Sequence, residues 1–267
     1  MEKIAFIGAG NMAEALIRGI IRQQLVAPEN IIAGEADPGR RQQIGEELGI
    51  QVTGDNREAI SRAGIIILAV KPQALDLVLA EIAEEITPDQ LLISILAGIS
   101  THQLENSLKA GVPVVRVMPN TPALVGAGVS VISPGHQAGE DAVATARAIL
   151  EAVGEVWVLE EKMIDAVTAL SGSGPAYFFL FVEALIRGGE ELGLPRREAE
   201  RLAGATLAGA GKLLKDSGRS VEELRRQVTS PGGTTEAAIA VFRERGLEKI
   251  VKKAMTAACR RSKELGG

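Results

Sequence analysis

Six residues near the start of the chain, Gly8-Ala9-Gly10-Asn11-Met12-Ala13, restrict its fold more than any other feature. They follow a four-residue apolar run, Ile4-Ala5-Phe6-Ile7, and open an amphipathic stretch from Asn11 to Leu25. Between a strand and a helix, this G-x-G-x-x-A spacing gives each small residue a task. The first glycine makes the tight turn, the second lets a phosphate reach the backbone, and the third small residue allows helix–strand packing. The free N–H groups and positive end of the helix then receive that phosphate. A second short strand, Ile31 to Ala33, ends about 20 residues beyond the glycines, where such folds meet a dinucleotide ribose.

The rest of the first half keeps the same alternation. Ile65 to Val70, Leu91 to Ile95 and Val114 to Met118 read as strands, with helices predicted over Gly39 to Leu48, Pro72 to Ile86 and Thr101 to Lys109. Uninterrupted apolar strands such as Ile65–Val70 belong to a parallel sheet covered on both faces. Val129 to Ile132 and Glu155 to Val158 read as two more strands flanking a helix from Ala138 to Val153. From Glu161 the strand signal stops and Ala-, Leu- and Gly-rich helix follows. The expected class is an α/β N-terminal Rossmann domain, residues 1–160, followed by an all-α domain, residues 161–267.

One helix of that second half is unusual. From Pro175 to Leu192 it carries Tyr177, Phe178, Phe179, Leu180, Phe181, Val182, Ala184, Leu185 and Ile186, which leave almost no polar face in its first half. A helix apolar all round must be buried on all sides, and a small helical domain achieves that with a second subunit. A homo-oligomer is expected. The apolar run is broken by Glu183 and stopped by Arg187, so it reads as too short for a membrane span.

Charge and composition exclude other functions. Lys plus Arg is 29 against 34 Asp plus Glu, a formal net charge of −5 that offers no basic field to nucleic acid or anionic lipid. One cysteine, Cys259, and two histidines, His102 and His136, rule out a disulfide and a cysteine- or histidine-rich metal cage. No targeting segment is read at the N-terminus, and the expected location is the cytoplasm.

The end of the second strand reads Glu35-Ala36-Asp37-Pro38-Gly39-Arg40-Arg41. Glu35 suits a ribose 2′-hydroxyl and thus NADH. Against a 2′-phosphate about 5 Å away it would cost roughly 3 kcal/mol at an effective dielectric near 20. Arg40 and Arg41 offer guanidinium forks that suit the phosphate of NADPH. The sequence leaves NADH and NADPH both open.

Four further segments carry a family likeness: Ala69-Val70-Lys71-Pro72, Met118-Pro119-Asn120-Thr121-Pro122-Ala123, Leu170-Ser171-Gly172-Ser173-Gly174-Pro175-Ala176-Tyr177, and Val228-Thr229-Ser230-Pro231-Gly232-Gly233-Thr234-Thr235. With the N-terminal glycine loop, and in this order, they resemble pyrroline-5-carboxylate reductase over essentially the whole chain. The resemblance implies reduction of a cyclic imino acid to proline by NADPH or NADH. It also implies a helical domain that interleaves with a second subunit, higher rings built from such dimers, and sites to which both protomers contribute.

By the same resemblance Asn56, Ala69, Val70, Lys71, Pro72, Ala97 and Asn120 are expected cofactor residues, beside Gly8, Ala9, Gly10, Asn11 and Met12 of the glycine loop and Glu35 at the end of the second strand. Ser230, Gly233, Thr234 and Thr235 are expected to bind substrate, with Thr235 the catalytic candidate at the ring nitrogen and Glu161, at the domain junction, a substrate residue expected to act through another side chain. Position 35 departs from the family, many of whose members carry a small polar residue there. Physically, a Ser-Pro-Gly-Gly-Thr-Thr turn before a helix offers backbone N–H groups and hydroxyls to a carboxylate; the same residues also make an ordinary helix cap.

Two rival readings fit the sequence less well. A β-hydroxyacid dehydrogenase needs a lysine after the glycine-rich stretch, yet none appears after Gly174 until Lys212. A non-catalytic dinucleotide sensor would not need the segment from Ser230 to Thr235.

Overall fold

The computed structural model describes residues 2–266. The chain forms two compact units: one takes the residues up to Ser173 together with the stretch from Ala258 onward, and the other is Gly174–Ala257. The sequence-derived boundary at 160 therefore falls before the break in compactness, and the C-terminal end of the last helix returns to the first unit.

In the first unit β1 (Ile4–Ile7) leads into α1 (Asn11–Arg22), β2 (Ile31–Gly34) into α2 (Pro38–Leu48), and β3 (Gln51–Thr53) into α3 (Asn56–Ser61). β4 (Ile65–Leu68), α4 (Leu75–Ile82), β5 (Leu91–Ser94), α5 (Thr101–Ser107) and β6 (Val114–Met118) continue the alternation. β7 (Gly128–Pro134), α6 (Glu140–Glu151), β8 (Gly154–Val158) and the single turn α7 (Ile164–Val167) complete it. The eight strands lie in the order β3-β2-β1-β4-β5-β6-β7-β8. Only the β6–β7 pairing is antiparallel.

The first six strands have the doubly wound dinucleotide order, which reverses between β1 and β4; ligands bind outside the carboxyl ends of the strands at such a reversal. β1 is buried on both faces. Ile4 and Phe6 join a cluster with Leu16, Ile17, Ile20 and Ile149. Ala5 and Ile7 face the opposite cluster with Ile66, Leu68, Leu79 and Leu104. The period of two along a strand delivers this division, and covered faces explain the lack of polar alternation.

Three local differences from the sequence reading have simple causes. The apolar run from Ile65 leaves the ladder after Leu68: the Ala69 N–H makes a last bond to β1 at the Ile7 carbonyl (2.8 Å), and the chain beyond it passes against Gly8. β3 and α3 were not expected: Gln51-Val52-Thr53 is a three-residue edge strand with no apolar run, and α3 rests on the Asp55 side chain, which accepts the Arg57 and Glu58 N–H groups. Pro72–Ala74 is a 3₁₀ turn, after which α4 begins at Leu75 and ends at Ile82.

The second unit contains α8 (Gly174–Glu191), α9 (Arg196–Ser217), α10 (Val221–Gln227), α11 (Thr234–Glu244) and the first part of α12 (Leu247–Leu265). Gly193, Gly218 and Gly246 turn the chain between helices at positive φ. Ala199 is the one buried hydrophobic side chain of this unit among the described residues. Phe178, Phe179 and Leu180 are each about 60% exposed, and Phe181 meets Phe242 with ring centroids 5.9 Å apart. Such an apolar surface on a single chain far exceeds scattered exposure and marks an association face.

The helical stretch Glu161–Glu191 is longer than the uninterrupted apolar run alone indicates. With a mean hydropathy of 1.4 in its most apolar window, it is long and apolar enough to cross a membrane by length and composition. Its apolar face also suits burial between subunits. Replacing Phe179 with Asp should disrupt that burial and lower the solution mass measured by light scattering toward one chain. An unchanged mass would remove this face of α8 from the interface.

Candidate active site

The glycine loop is shaped by backbone crowding on one side and open space on the other. Gly8 has φ +93°, and a Cβ there would lie 2.9 Å from the Ala69 carbonyl oxygen. Its N–H bonds to the Gly34 carbonyl at 2.8 Å. Only glycine tolerates both the dihedral and the approach. Gly10 precedes α1 in an extended conformation, and a Cβ there would meet nothing within 4 Å.

α1 has no side-chain cap. By contrast, α2, α3 and α5 are capped by Asp37, Asp55 and Ser100. An uncapped helix start behind a side-chain-free cradle fits a pyrophosphate, which the first-turn N–H groups would hold.

The other expected cofactor residues gather at the same carboxyl edge. Glu35 follows β2, Asn56 opens α3, Ala69-Val70-Lys71-Pro72 follow β4, and Ala97 follows β5. Glu35 Oε2 accepts the Ala9 N–H at 2.9 Å and Oε1 accepts the Asp37 N–H at 3.0 Å. Arg40 Nε donates to the Ala9 carbonyl at 2.8 Å and Nη2 to Glu14 at 2.6 Å. Arg40 foremost, together with Arg18, holds the Glu14 carboxyl below the ordinary carboxylate range, outweighing the opposing effect of burial. Arg41 Nη1 donates to the Glu35 carbonyl at 2.7 Å. Asn56 donates its backbone N–H and its Nδ2 to Glu81, at 3.1 and 2.8 Å.

Asn120 and Glu161, two further expected site residues, also hold protein groups. Asn120 is buried; its Oδ1 accepts the Val129 N–H at 2.8 Å and its Nδ2 donates to the Ser171 carbonyl at 3.1 Å. These bonds tie the end of β6 to β7 and to the π-helical turn Thr168–Gly172. Glu161 engages both oxygens: Oε1 accepts the Thr101 N–H (2.8 Å) and Arg116 Nη1 (3.0 Å), and Oε2 accepts the Thr101 hydroxyl (2.6 Å). This geometry ties the start of α5 and the buried guanidinium of β6 together, a structural position for a residue expected among the substrate contacts.

In the second unit the chain leaves α10, turns at Gly232 (φ +70°), and enters α11 at Thr234. α11 therefore takes Thr234 and Thr235 into its first turn, where the sequence reading leaves them in the turn before the helix. The Gly233 N–H bonds to the Ser230 carbonyl at 3.0 Å, and Gly233 caps α11 without a side chain. Ser230 and Thr234 are exposed and Thr235 is half-buried. Here too the helix start presents N–H groups beside hydroxyls, which suits a small carboxylate.

Sequence reasoning missed Glu236, which accepts the Gly232 N–H at 2.7 Å and steadies the turn; an acid at the third position of a helix was the available signal. It also missed Arg116, although an arginine inside Val114-Val115-Arg116-Val117-Met118 demands a buried acceptor. Glu14 and Glu81, which hold Arg40 and Asn56, carry no comparable signal.

A sheet with doubly wound strand order, a glycine loop before an uncapped helix start and a separate helical unit define a dinucleotide-dependent oxidoreductase. Residues 3–98 match the family model described as NADP oxidoreductase, coenzyme F420-dependent, and residues 161–265 match pyrroline-5-carboxylate reductase dimerisation. A Pseudomonas aeruginosa pyrroline-5-carboxylate reductase is 47% identical over 264 residues, covering 98% of this chain and 96% of the relative. The solved structure of a pyrroline-5-carboxylate reductase from Coxiella burnetii is 39% identical with a TM-score of 0.92, covering 100% of this chain and 99% of that one. The Plasmodium falciparum pyrroline carboxylate reductase, solved with NADP bound, is 32% identical with a TM-score of 0.87, covering 99% and 98%. This chain belongs to the pyrroline-5-carboxylate reductase family.

The Glu161 network makes a pH-dependent prediction. Burial raises its carboxyl, but the Thr101 hydroxyl and N–H and the Arg116 guanidinium outweigh that and hold it below the ordinary value. Its contribution to stability is full above the unfolded value of about 4.3 and is lost as pH falls through the lower folded value. Glu161→Gln should cost about 1–3 kcal/mol at neutral pH by leaving Arg116 without its counter-charge. In urea titrations the gap to the native protein should narrow below about pH 4; a constant gap would assign the effect to packing.

Proposed function

We propose that this chain reduces 1-pyrroline-5-carboxylate to L-proline with NADPH or NADH, the last step of proline biosynthesis, as a homo-oligomer in the cytoplasm. Whole-length similarity to pyrroline-5-carboxylate reductases carries the reading. The relatives do not favour the β-hydroxyacid dehydrogenase or sensor alternatives. Residues 1–160 are assigned to the cofactor and 161–267 to self-association and substrate, with dimers assembling further into rings. Nucleic acid and membrane have no role in this reading.

Bound NAD(P)H supplies the hydride. The chain's own residues supply position and charge. Open N–H groups at the start of α1, beside Gly8, Ala9, Gly10, Asn11 and Met12, hold the pyrophosphate. Ala69-Val70-Lys71-Pro72 and Ala97 line the cofactor from the ends of β4 and β5, and Asn56 lines it from α3. Asn120 is assigned to the same site indirectly, through the turn it holds at Ser171.

At the start of α11, Thr234 offers its backbone N–H to the substrate carboxylate, Gly233 leaves the approach clear of a side chain, and the Ser230 and Thr234 hydroxyls add donors. Anchoring the carboxylate fixes which face of the imine ring is presented, the orienting effect that lowers a bimolecular barrier. A protonated imine is already electrophilic, so the site needs a hydrogen bond at the ring nitrogen more than a strong acid. The Thr235 hydroxyl is assigned that bond. Glu161 acts on substrate only through Thr101 and Arg116.

Oxidation of NADH and NADPH followed at 340 nm with pyrroline-5-carboxylate tests the reading directly; cofactor binding without turnover would leave the sensor. Thr235→Ala should lower kcat by about a hundredfold, at the low end of what general acid–base groups contribute, with cofactor affinity unchanged. Equal loss of cofactor binding would remove Thr235 from the imine.

A further inference from the structure

We infer that this chain prefers NADH to NADPH and that Glu35 is the residue that sets the preference, an inference that rests on the reductase reading above. Glu35 stands at the carboxyl end of β2, where the adenosine ribose of a dinucleotide lies in this fold. Its carboxylate is fixed by two backbone donors on opposite sides, the Ala9 N–H in the glycine loop and the Asp37 N–H before α2. Main-chain donors in a tight turn and at a helix start do not swing aside as a side chain would. The acceptor oxygens are therefore held at the mouth of the phosphate loop.

An ionised carboxylate only accepts hydrogen bonds. A ribose 2′-hydroxyl donates and suits it. A 2′-phosphate brings further acceptor oxygens and negative charge, and enters only if Glu35 gives up both backbone bonds. The two arginines that would favour that phosphate are already engaged. All three Arg40 guanidinium nitrogens have protein acceptors: Nε the Ala9 carbonyl, Nη2 the Glu14 carboxylate and Nη1 the Gln43 amide oxygen. Arg41 holds the Glu35 carbonyl and lies against Gly54, where a Cβ would come 2.9 Å from Nη1. Asp37 adds a further carboxylate, which caps α2 through the Arg40 N–H. Glu35, Asp37 and Glu14 thus stand at the corner that a 2′-phosphate would enter, and Arg40 and Arg41, like Arg18 on Glu14, are committed to protein acceptors there.

The test is direct binding of NADH and NADPH to the intact oligomer, read by cofactor fluorescence in the absence of imine. NADH should bind at least about tenfold tighter, about 1.4 kcal/mol. In competition, 5′-AMP should displace NADH more readily than adenosine 2′,5′-bisphosphate, which isolates the 2′ position. Glu35→Ser should bring the two cofactor affinities toward parity, and Glu35→Gln, which keeps the shape and loses the charge, should lie between.

Equal or tighter NADPH binding by the native protein overturns the inference, as does an unchanged ratio in a folded Glu35→Ser variant. If that variant fails to fold, the native ratio and the two-nucleotide competition decide. NADPH-preferring protein that still reduces the imine overturns this inference alone. A protein that binds neither cofactor overturns it and the reductase reading together.

Discussion

At Gly8 the chain leaves β1 with a positive φ and passes so close to the segment after β4 that a single methyl group would press into the Ala69 carbonyl. The expected cofactor residues depend on that approach. It brings the loop after β1 and the loop after β4 to the same edge, at the point where strand order reverses. It also frees the start of α1, since a chain that turns this tightly arrives at the helix through Gly10 with no side chain over the first N–H groups. A larger residue at position 8 would push the two loops apart, whatever happened to the chemistry at their tips.

Helix starts divide in an instructive way. α2, α3, α5 and α10 begin behind Asp37, Asp55, Ser100 and Ser220, each of whose side chains accepts a backbone N–H. α1 and α11, the two helices assigned to cofactor and substrate, begin behind Gly10 and Gly233 without a side-chain cap. A cap stabilises a helix by about 1 kcal/mol, so leaving one out has a cost in the unliganded chain. An anion can replace it. α6, behind Gly139, shows that an uncapped start alone does not make a site; the neighbouring glycine turns and hydroxyls distinguish the other two.

Most of the architecture was legible because its signals are local. The glycine spacing, the run Ile65–Leu68 and the loss of strand pattern after Glu161 follow from pleat, helix period and burial acting over a few residues. β3 was missed because an edge strand needs no apolar run, and helix continues from Glu161 through the break in compactness after Ser173, so that break leaves no mark in the sequence pattern. Residue roles were less legible. Asn120 and Glu161 stand in or beside family motifs, yet their side chains serve Val129, Ser171, Thr101 and Arg116, partners separated from them by up to sixty positions. Spacing along the chain carries no information about such pairs. Arg116 was the readable exception, since a charge within an apolar strand requires a counterpart.

The sparse interior of Gly174–Ala257 has a thermodynamic consequence. A unit whose one buried hydrophobic side chain among the described residues is Ala199 has little burial of its own to offset the entropy of ordering five helices. In the homo-oligomer proposed above the remaining burial comes from another copy, and mass action then governs it. Dilution becomes a denaturant for this half of the molecule, whereas the sheet-built half, with a core on each face, answers mainly to temperature and solvent. Its melting point is therefore a curve against protein concentration, with no single value.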